Sequence, residues 1–251
     1  MRILLSNDDG VFAKGIAVMY QHLSQSHDVV VIAPDRNCSG MSNALSLHQP
    51  LRMTQAENGF YAVNGTPSDC VQLGINSGTF DIFDLVVSGI NDGPNLGDDT
   101  IYSGTVAAAL EGRHLGLPAI AVSLCADKRA EQHYEFSSAA VMTCQLINKI
   151  IEHPLEAKQI LNLNVPNLPL DKINGIKTTR CGNRHKAETM VQSTDPFGKK
   201  IYWYGKLGNE QDGGPGTDFH AVAEGYCSVS PLSTDMTVHQ QIARIKPWLE
   251  K

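Results

Sequence analysis

The chain has 251 residues, of which 42% are hydrophobic and 18% charged, and it carries a formal net charge of -6. A chain of this length buries a substantial core without staples, and none of its apolar runs could span a bilayer, so no membrane partner is expected. The acidic balance speaks against duplex nucleic acid as a partner, because that binding draws on Lys and Arg neutralising phosphates; a small anion at a local site stays open.

In chain order, the first apolar run is "RILLS", preceded only by Met1. Ile3 to Leu5 is too short for the apolar segment of a signal peptide, and a cytoplasmic location is expected. There follow the helix-compatible "GIAVMYQHLSQ", the strand-like "DVVVIAP", and then "LRMT" and "FYAVNG" separated by the polar "QAENG". This last pair predicts a hairpin inserted between the second and third core strands. "TPSDCVQLGIN", "DLVVSGI", "GTVAAALEGRHLG", "PAIAVSL", "FSSAAVMTCQLINKII" and "QILNLNVP" continue the alternation of helical and strand patterns. Strands alternating with helices predict an α/β class: a Rossmann-like three-layer fold with a mostly parallel central sheet over residues 1–165.

After Pro166 the pattern changes. "GIKTTRCG", "AETMVQS" and "KKIYWYG" are strand-like, and the Gly-rich "KLGNEQDGGPGTD" follows. "YCSVSPL" predicts one more strand, and "TVHQQIARIKPWLE" an amphipathic end interrupted near Pro247. Residues 166–251 are therefore expected to form a β-rich C-terminal extension with a terminal helix. Six cysteines without a C-x-x-C pair fit reduced, mostly buried thiols better than disulfides or zinc.

Open parallel sheets bind ligands beyond the carboxyl ends of their strands, so the residues after each apolar run are the ones to inspect. They are polar: "NDDG" after the first, "DRNCSGMSN" after the second, "SGINDGPNLGDDTIYSGT" within and after the third. On a continuing strand Asp8 and Asp9 would face opposite ways. If the strand ends near Asn7 and turns at Gly10, both carboxylates can reach one cation, which removes the repulsion between adjacent acids. Oxygen donors without His or Cys suit Mg²⁺ or Mn²⁺. The competing reading of "NDDG" is a solvated turn. In "YSGTVAAALEG", Ser103, Gly104 and Thr105 stand at a helix start, where unpaired N–H groups favour phosphate; simple N-capping is the alternative. "GxxxxGK[ST]" is absent and no GxGxxG follows the first strand, which removes support for triphosphate hydrolysis and dinucleotide binding.

"NDDG", "APDRNCSGMSN", "NGTPSDCV", "SGINDGPNLG", "YSGTVAAALEGR", "RHKAE" and "PLSTD" occur in an order and spacing that resemble the SurE family of 5'/3'-nucleotidases. The resemblance implies one divalent metal ion per subunit, Mn²⁺ or Mg²⁺, held by Asp8, Asp9, Ser39 and Asn91. It also implies phosphate contacts near Gly40, at Asn95, and at Ser103, Gly104 and Thr105. The implied activity is release of phosphate from nucleoside 5'- and 3'-monophosphates, with short polyphosphate as a further substrate. A homodimer or homotetramer built through the C-terminal arm is implied as well. On that reading a metal-bound water attacks phosphorus, Asp8 is the general base, and Asn7 and Asn95 orient and donate. Phe12 and Lys14 in "GVFAKG" stand where relatives can have His and Pro, which bears on substrate preference. Two alternatives compete with it. A covalent aspartyl-phosphate route needs D-x-D, and Gly10 follows Asp9 here. A receiver-like or nucleotide-binding regulatory module without turnover would need a phosphoryl-accepting Asp after the third core strand, where Ser88, Gly89, Ile90 and Asn91 stand.

Overall fold

A computed structural model describes residues 1–126, 133–153, 155, 158–185, 188–205 and 207–250. Lys186 and Ala187 of "RHKAE" lie outside the described residues. The elements in chain order are β1 (Arg2–Ser6), α1 (Lys14–Leu23), β2 (Asp28–Pro34), β3 (Met53–Gln55), β4 (Tyr61–Val63), α2 (Pro67–Asn76), β5 (Leu85–Asp92), α3 (Gly104–Glu111), β6 (Ala119–Cys125), α4 (Phe136–Glu152) and β7 (Ile160–Pro166). Then come β8 (Ile176–Thr178), β9 (Asn183–Arg184), β10 (Val191–Thr194), β11 (Lys200–Trp203), β12 (Glu210–Asp212), α5 (Asp218–Ala223), β13 (Cys227–Leu232) and α6 (His239–Leu249).

Nine strands form one sheet in the order β3-β4-β2-β1-β5-β6-β7-β13-β8. From β4 to β7 every neighbouring pair is parallel, so the fold is the mostly parallel α/β architecture that the alternating pattern predicts. The expected hairpin is β3–β4, and it extends the main sheet at its edge: β4 runs parallel to β2 while β3 turns back along β4. Two strands from the 166–251 stretch close the other edge, β13 antiparallel to β7 and β8 parallel to β13. The aromatic-rich β10–β11 hairpin forms a separate two-stranded sheet. α6 runs through Pro247 in its last turn, where the proline has no N–H to donate to the Ala243 carbonyl oxygen, so the helix continues without that bond.

Helices cover both faces. Ile3, Leu5, Val87, Ile120 and Leu163 meet α1 and α4 on one side, and Leu4, Val86, Ala121 and Ile160 meet α2 and α3 on the other. This is the two-residue alternation of strands buried on both faces. On the α2/α3 side the same alternation changes from apolar at the amino ends to polar at the carboxyl ends. Leu4 gives way to Ser6, Val86 to Ser88, Ala121 to Ser123, and Ile160 to Asn162 and Asn164, all of them buried. A polar edge is thus built into the strands themselves.

One irregularity aims that edge. Ser88 pairs with Ala121 but Asn91 pairs with Ser123, so β5 spends three steps where β6 spends two. The bulge reverses the alternation, placing Ile90 on the same face as Val87 and re-aiming Asn91. Gly89 has φ +137 and lies so close to β6 that a Cβ would overlap the Val122 carbonyl oxygen. From the α1 side, a Cβ on Gly15 would overlap the Ile90 carbonyl oxygen, a backbone atom that has nowhere to move. Gly15→Ala should therefore cost about 2–4 kcal/mol by overpacking, read as a lower urea midpoint at an unchanged slope.

Candidate active site

β2, β1 and β5 are adjacent and parallel, so their carboxyl ends share one edge. β1 ends at Ser6, and Asn7 makes the turn behind it: its amide nitrogen donates to the Gly10 carbonyl oxygen (3.0 Å) and its Oδ1 accepts the Gly10 N–H (3.2 Å). Gly10 holds φ +105, the backbone state for which glycine is suited. The strand stops where the pair of acids requires it to stop. Asn7, fully buried, shapes the turn with both ends of its carboxamide.

Asp8 is buried at 3% exposure and is gripped from two directions. The Cys38 N–H donates to its carbonyl oxygen (2.7 Å), joining the loop after β2, which carries Ser39 and Gly40, to the end of β1. The Thr105 hydroxyl donates to its Oδ1 (2.5 Å), joining the start of α3 to the same residue. A Cβ on Gly104 would stand 2.9 Å from Asp8 Oδ2, so glycine is what leaves room for that carboxylate. Asp9, half-buried, accepts the Asp92 N–H on Oδ2 (3.0 Å), which brings in the end of β5, where Asn91 stands.

The four predicted donors thus stand on the loop after β1, the loop after β2 and the end of β5, and the first of these is bonded to the other two. Asn91 spends its amide nitrogen on the Gly93 carbonyl oxygen (2.8 Å), which leaves Oδ1 as its outward-facing donor to a cation. Ser39 is exposed, its N–H donating to Asn37 Oδ1 (2.9 Å). Among the described residues no cluster of three or more His, Cys, Asp or Glu could hold a metal. Two carboxylates, a hydroxyl and an amide oxygen form a hard set of oxygen donors, which suits Mg²⁺ or Mn²⁺ rather than zinc.

Ser103 caps α3, its Oγ accepting the Val106 N–H (3.1 Å), so the capping alternative is realised; its own O–H stays available to donate. Gly104 and Thr105 occupy the first turn, where helical N–H groups lack helical partners. The hydroxyl of Thr105, a residue with no exposed surface, is directed at Asp8. Gly40 has φ +79 with open space where a Cβ would be, so its backbone conformation rather than crowding calls for glycine. The serine loop also reaches the stretch before the helix: Ser42 donates from its hydroxyl to the Ile101 carbonyl oxygen (2.7 Å) and from its N–H to that of Tyr102 (3.2 Å).

Asn95 sits further along the edge, over β6 and β7. Its amide nitrogen donates to Ser123 Oγ (2.8 Å), its N–H to Asn164 Oδ1 (2.9 Å), and its carbonyl oxygen accepts from Asn162 (2.9 Å) and Asn164 (3.0 Å). The hydrogen bonds thus tie Asn95 to the sheet, whereas Thr105 joins Asp8 directly. Beside Asp9 opens a cavity of about 440 Å³, lined in part by Lys14, Asn37, Asp92, Tyr134 and Phe136. Its size is within the usual range for a small-molecule pocket. Cys38, next to Ser39, is a packing residue: burial pushes its thiol pKa up, against the pull of Arg36, so the sulfur is held protonated. All six cysteines are free thiols.

The supporting residues Ser123, Asn162, Asn164 and Asp92 were not singled out by sequence reasoning. For two of them a signal existed: "LNLNVP" places Asn162 and Asn164 two residues apart on one strand face, polar within an otherwise apolar run.

Residues 3–188 match the family model described as Survival protein SurE. The chain is 62% identical over 251 residues to 5'-nucleotidase SurE of Pseudoalteromonas atlantica (strain T6c / ATCC BAA-1087), covering all of both chains. It is 53% identical to 5'-nucleotidase SurE of Idiomarina loihiensis (strain ATCC BAA-735 / DSM 15497 / L2-TR), covering all of this chain and 99% of the other. The crystal structure of Sure protein from Aquifex aeolicus superposes with a TM-score of 0.84 at 41% identity, over the full length of both chains.

Removing the bond that orients Asp8 tests the geometry. Thr105→Val should weaken Mn²⁺ binding about tenfold in a calorimetric titration, the usual order for losing an outer-shell partner, with the thermal unfolding transition still cooperative.

Proposed function

The chain belongs to the SurE family, and from that membership we propose that it is a divalent-metal-dependent phosphomonoesterase acting on nucleoside 5'-monophosphates, with 3'-monophosphates and short polyphosphate as further substrates. The observation that carries this reading is the convergence on Asp8 and Asp9 of the Ser39 loop, the end of β5 that carries Asn91, and the start of α3, through Cys38, Asp92 and Thr105.

Asp8, Asp9, Ser39 and Asn91 would hold one Mn²⁺ or Mg²⁺ ion, which when bound supplies Lewis acidity toward a phosphoryl oxygen and offsets the two carboxylates. The chain's own groups divide the remaining work. Asp8, whose Oδ1 accepts the Thr105 hydroxyl, would take the proton of the attacking water. The N–H groups at the start of α3, with the Ser103 hydroxyl and the backbone at Gly40, bind the phosphoryl oxygens and stabilise their charge as the P–O bond breaks. Asn7 keeps Asp8 at the strand tip, and Asn95 bounds the phosphate side of the edge. The cavity beside Asp9 gives the nucleoside a place to lie, with Lys14 and Tyr134 among the residues that would set preference.

We further propose a homodimer or homotetramer joined through the β10–β11 hairpin and α6. The hairpin exposes Val191, Tyr202 and Trp203, and α6 exposes Ile242, Trp248 and Leu249 with no buried residue of its own. Surfaces this apolar are normally covered. The free thiols suit the reducing cytoplasm.

Phosphate release should be seen from 5'- and 3'-monophosphates with Mn²⁺ or Mg²⁺ and vanish on chelation. Asp8→Asn should lower kcat by at least about a hundredfold while the fold persists by circular dichroism. Release from no phosphate ester with any divalent ion, or near-wild-type turnover by Asp8→Asn, would sink the reading. Sedimentation of Trp248→Asp should show a smaller species than wild type; an unchanged mass would remove α6 from the interface.

A further inference from the structure

Asp218 lies in the C-terminal part of the chain, in the first turn of α5, and no surface of it is exposed. Its Oδ2 accepts the Gly97 N–H (2.7 Å), and its Oδ1 accepts the N–H groups of Gly182 (2.9 Å) and Phe219 (3.0 Å). Its own N–H donates to the Arg180 carbonyl oxygen (3.0 Å). A single carboxylate therefore joins three separate stretches of chain. Only a group with acceptors at both ends can do this, because a carboxamide would set its NH₂ against a backbone N–H.

Gly97 is where this junction touches the candidate site. It stands two residues after Asn95 and opens the 3-10 turn Gly97–Tyr102, which delivers Ser103 to the start of α3. It holds φ +56, and a Cβ there would lie 2.7 Å from Phe219 Cε2 and 2.8 Å from the Gly182 carbonyl oxygen. The backbone of this loop is pressed against residues 182 and 219 with no room for a side chain. The adjoining residues are held as well: Arg184 donates from Nε to Asp99 Oδ2 (2.8 Å) and from its N–H to Asp98 Oδ1 (3.0 Å), with its guanidinium 4.8 Å above the Phe219 ring.

We propose that Asp218 is a positioning residue for the phosphate side of the site: it fixes the Gly97 pivot, and through it the placement of Asn95 on one side and of Ser103 on the other. The proposal rests on the phosphomonoesterase reading and adds to it a task for the C-terminal segment within the same subunit. The metal-side residues are anchored chiefly through Cys38, Asp92 and Gly93, bonds that do not pass through Asp218; only the Thr105 bond to Asp8 and the Ser42 bonds to Ile101 and Tyr102 join them to the stretch that Asp218 holds. Loss of the clamp should consequently weaken phosphate binding much more than metal binding.

The test is done on the full-length enzyme with Mn²⁺. In Asp218→Asn, KM for a nucleoside 5'-monophosphate and the inhibition constant of inorganic phosphate should both rise about tenfold, the order expected for one charge-assisted hydrogen bond lost in a buried site. The Mn²⁺ dissociation constant should stay within about twofold by calorimetry. Arg184→Met, which loosens the same loop from its outer side, should shift both phosphate constants in the same direction by about threefold, and it decides the matter alone if Asp218→Asn does not fold. Wild-type phosphate constants in the folded variants, or a parallel loss of Mn²⁺ affinity, would overturn the proposal. A wild-type enzyme that releases no phosphate from a monophosphate fails the functional reading instead, and that outcome is seen before any variant is made.

Discussion

Two consecutive carboxylates at the tip of one parallel strand are the constraint around which the rest of the edge is arranged. Charges about 5 Å apart repel by about 3 kcal/mol at an effective dielectric near 20, and a single hydrogen bond to a charged group returns about 1.5–3 kcal/mol. Thr105 on Asp8 and the Asp92 N–H on Asp9 are of the size needed to offset that repulsion on their own. A divalent cation between the two carboxylates would turn repulsion into attraction, and the nearby oxygen donors are of the hard type such a cation prefers. The turn made by Asn7 and Gly10 is what converts side chains that would diverge on a strand into two arms that can close on one ion.

That constraint explains features elsewhere in the sheet. On the α2/α3 face the strands of the parallel core start apolar and turn polar further along, at Ser6, Ser88, Ser123, Asn162 and Asn164. The bulge in β5 reverses the alternation at Ile90, so that Ile90 joins the core with α1 and α4 while Asn91 is delivered to the edge. Gly89 and Gly15 make the bulge possible by allowing β6 and α1 to approach its backbone. Packing and chemistry are thus served by the same few residues, and a change at Gly15 would be felt at Asn91 through one carbonyl group.

The alternation of "RILLS", "DVVVIAP", "DLVVSGI", "PAIAVSL" and "QILNLNVP" with amphipathic runs makes the parallel core readable in the sequence, because period and length are local properties. The polar loops behind three of those strands are readable for the same reason, as is the cap at Ser103. What escapes is whatever depends on register or on distant partners. A bulge changes the facing of Asn91 without changing composition, and "YCSVSPL" reads as a strand without revealing that it lies antiparallel beside β7. Asn162 and Asn164 are visible as polar residues in a buried strand, yet their partner, Asn95, is 67 and 69 residues away. The role of Asp218 is the extreme case, since its bond to Gly97 spans 121 residues and "GTDFHAV" announces nothing beyond a capped helix.

The C-terminal segment makes contact with the site in a way that its position in the sequence conceals. Its strands β8 and β13 close the main sheet beside β7, the strand whose Asn162 and Asn164 hold Asn95. Its residues 180–184 and α5 grip the stretch that follows Asn95, through Asp218, Phe219 and Arg184. The loop on the phosphate side is consequently held between a strand of the parallel core and a segment that folds after it. A loop held from only one side would sample several placements, and each kcal/mol lost to choosing among them would be subtracted from binding. Held from both, it is pre-organised before any ligand arrives, and the cost of ordering it is met by the fold.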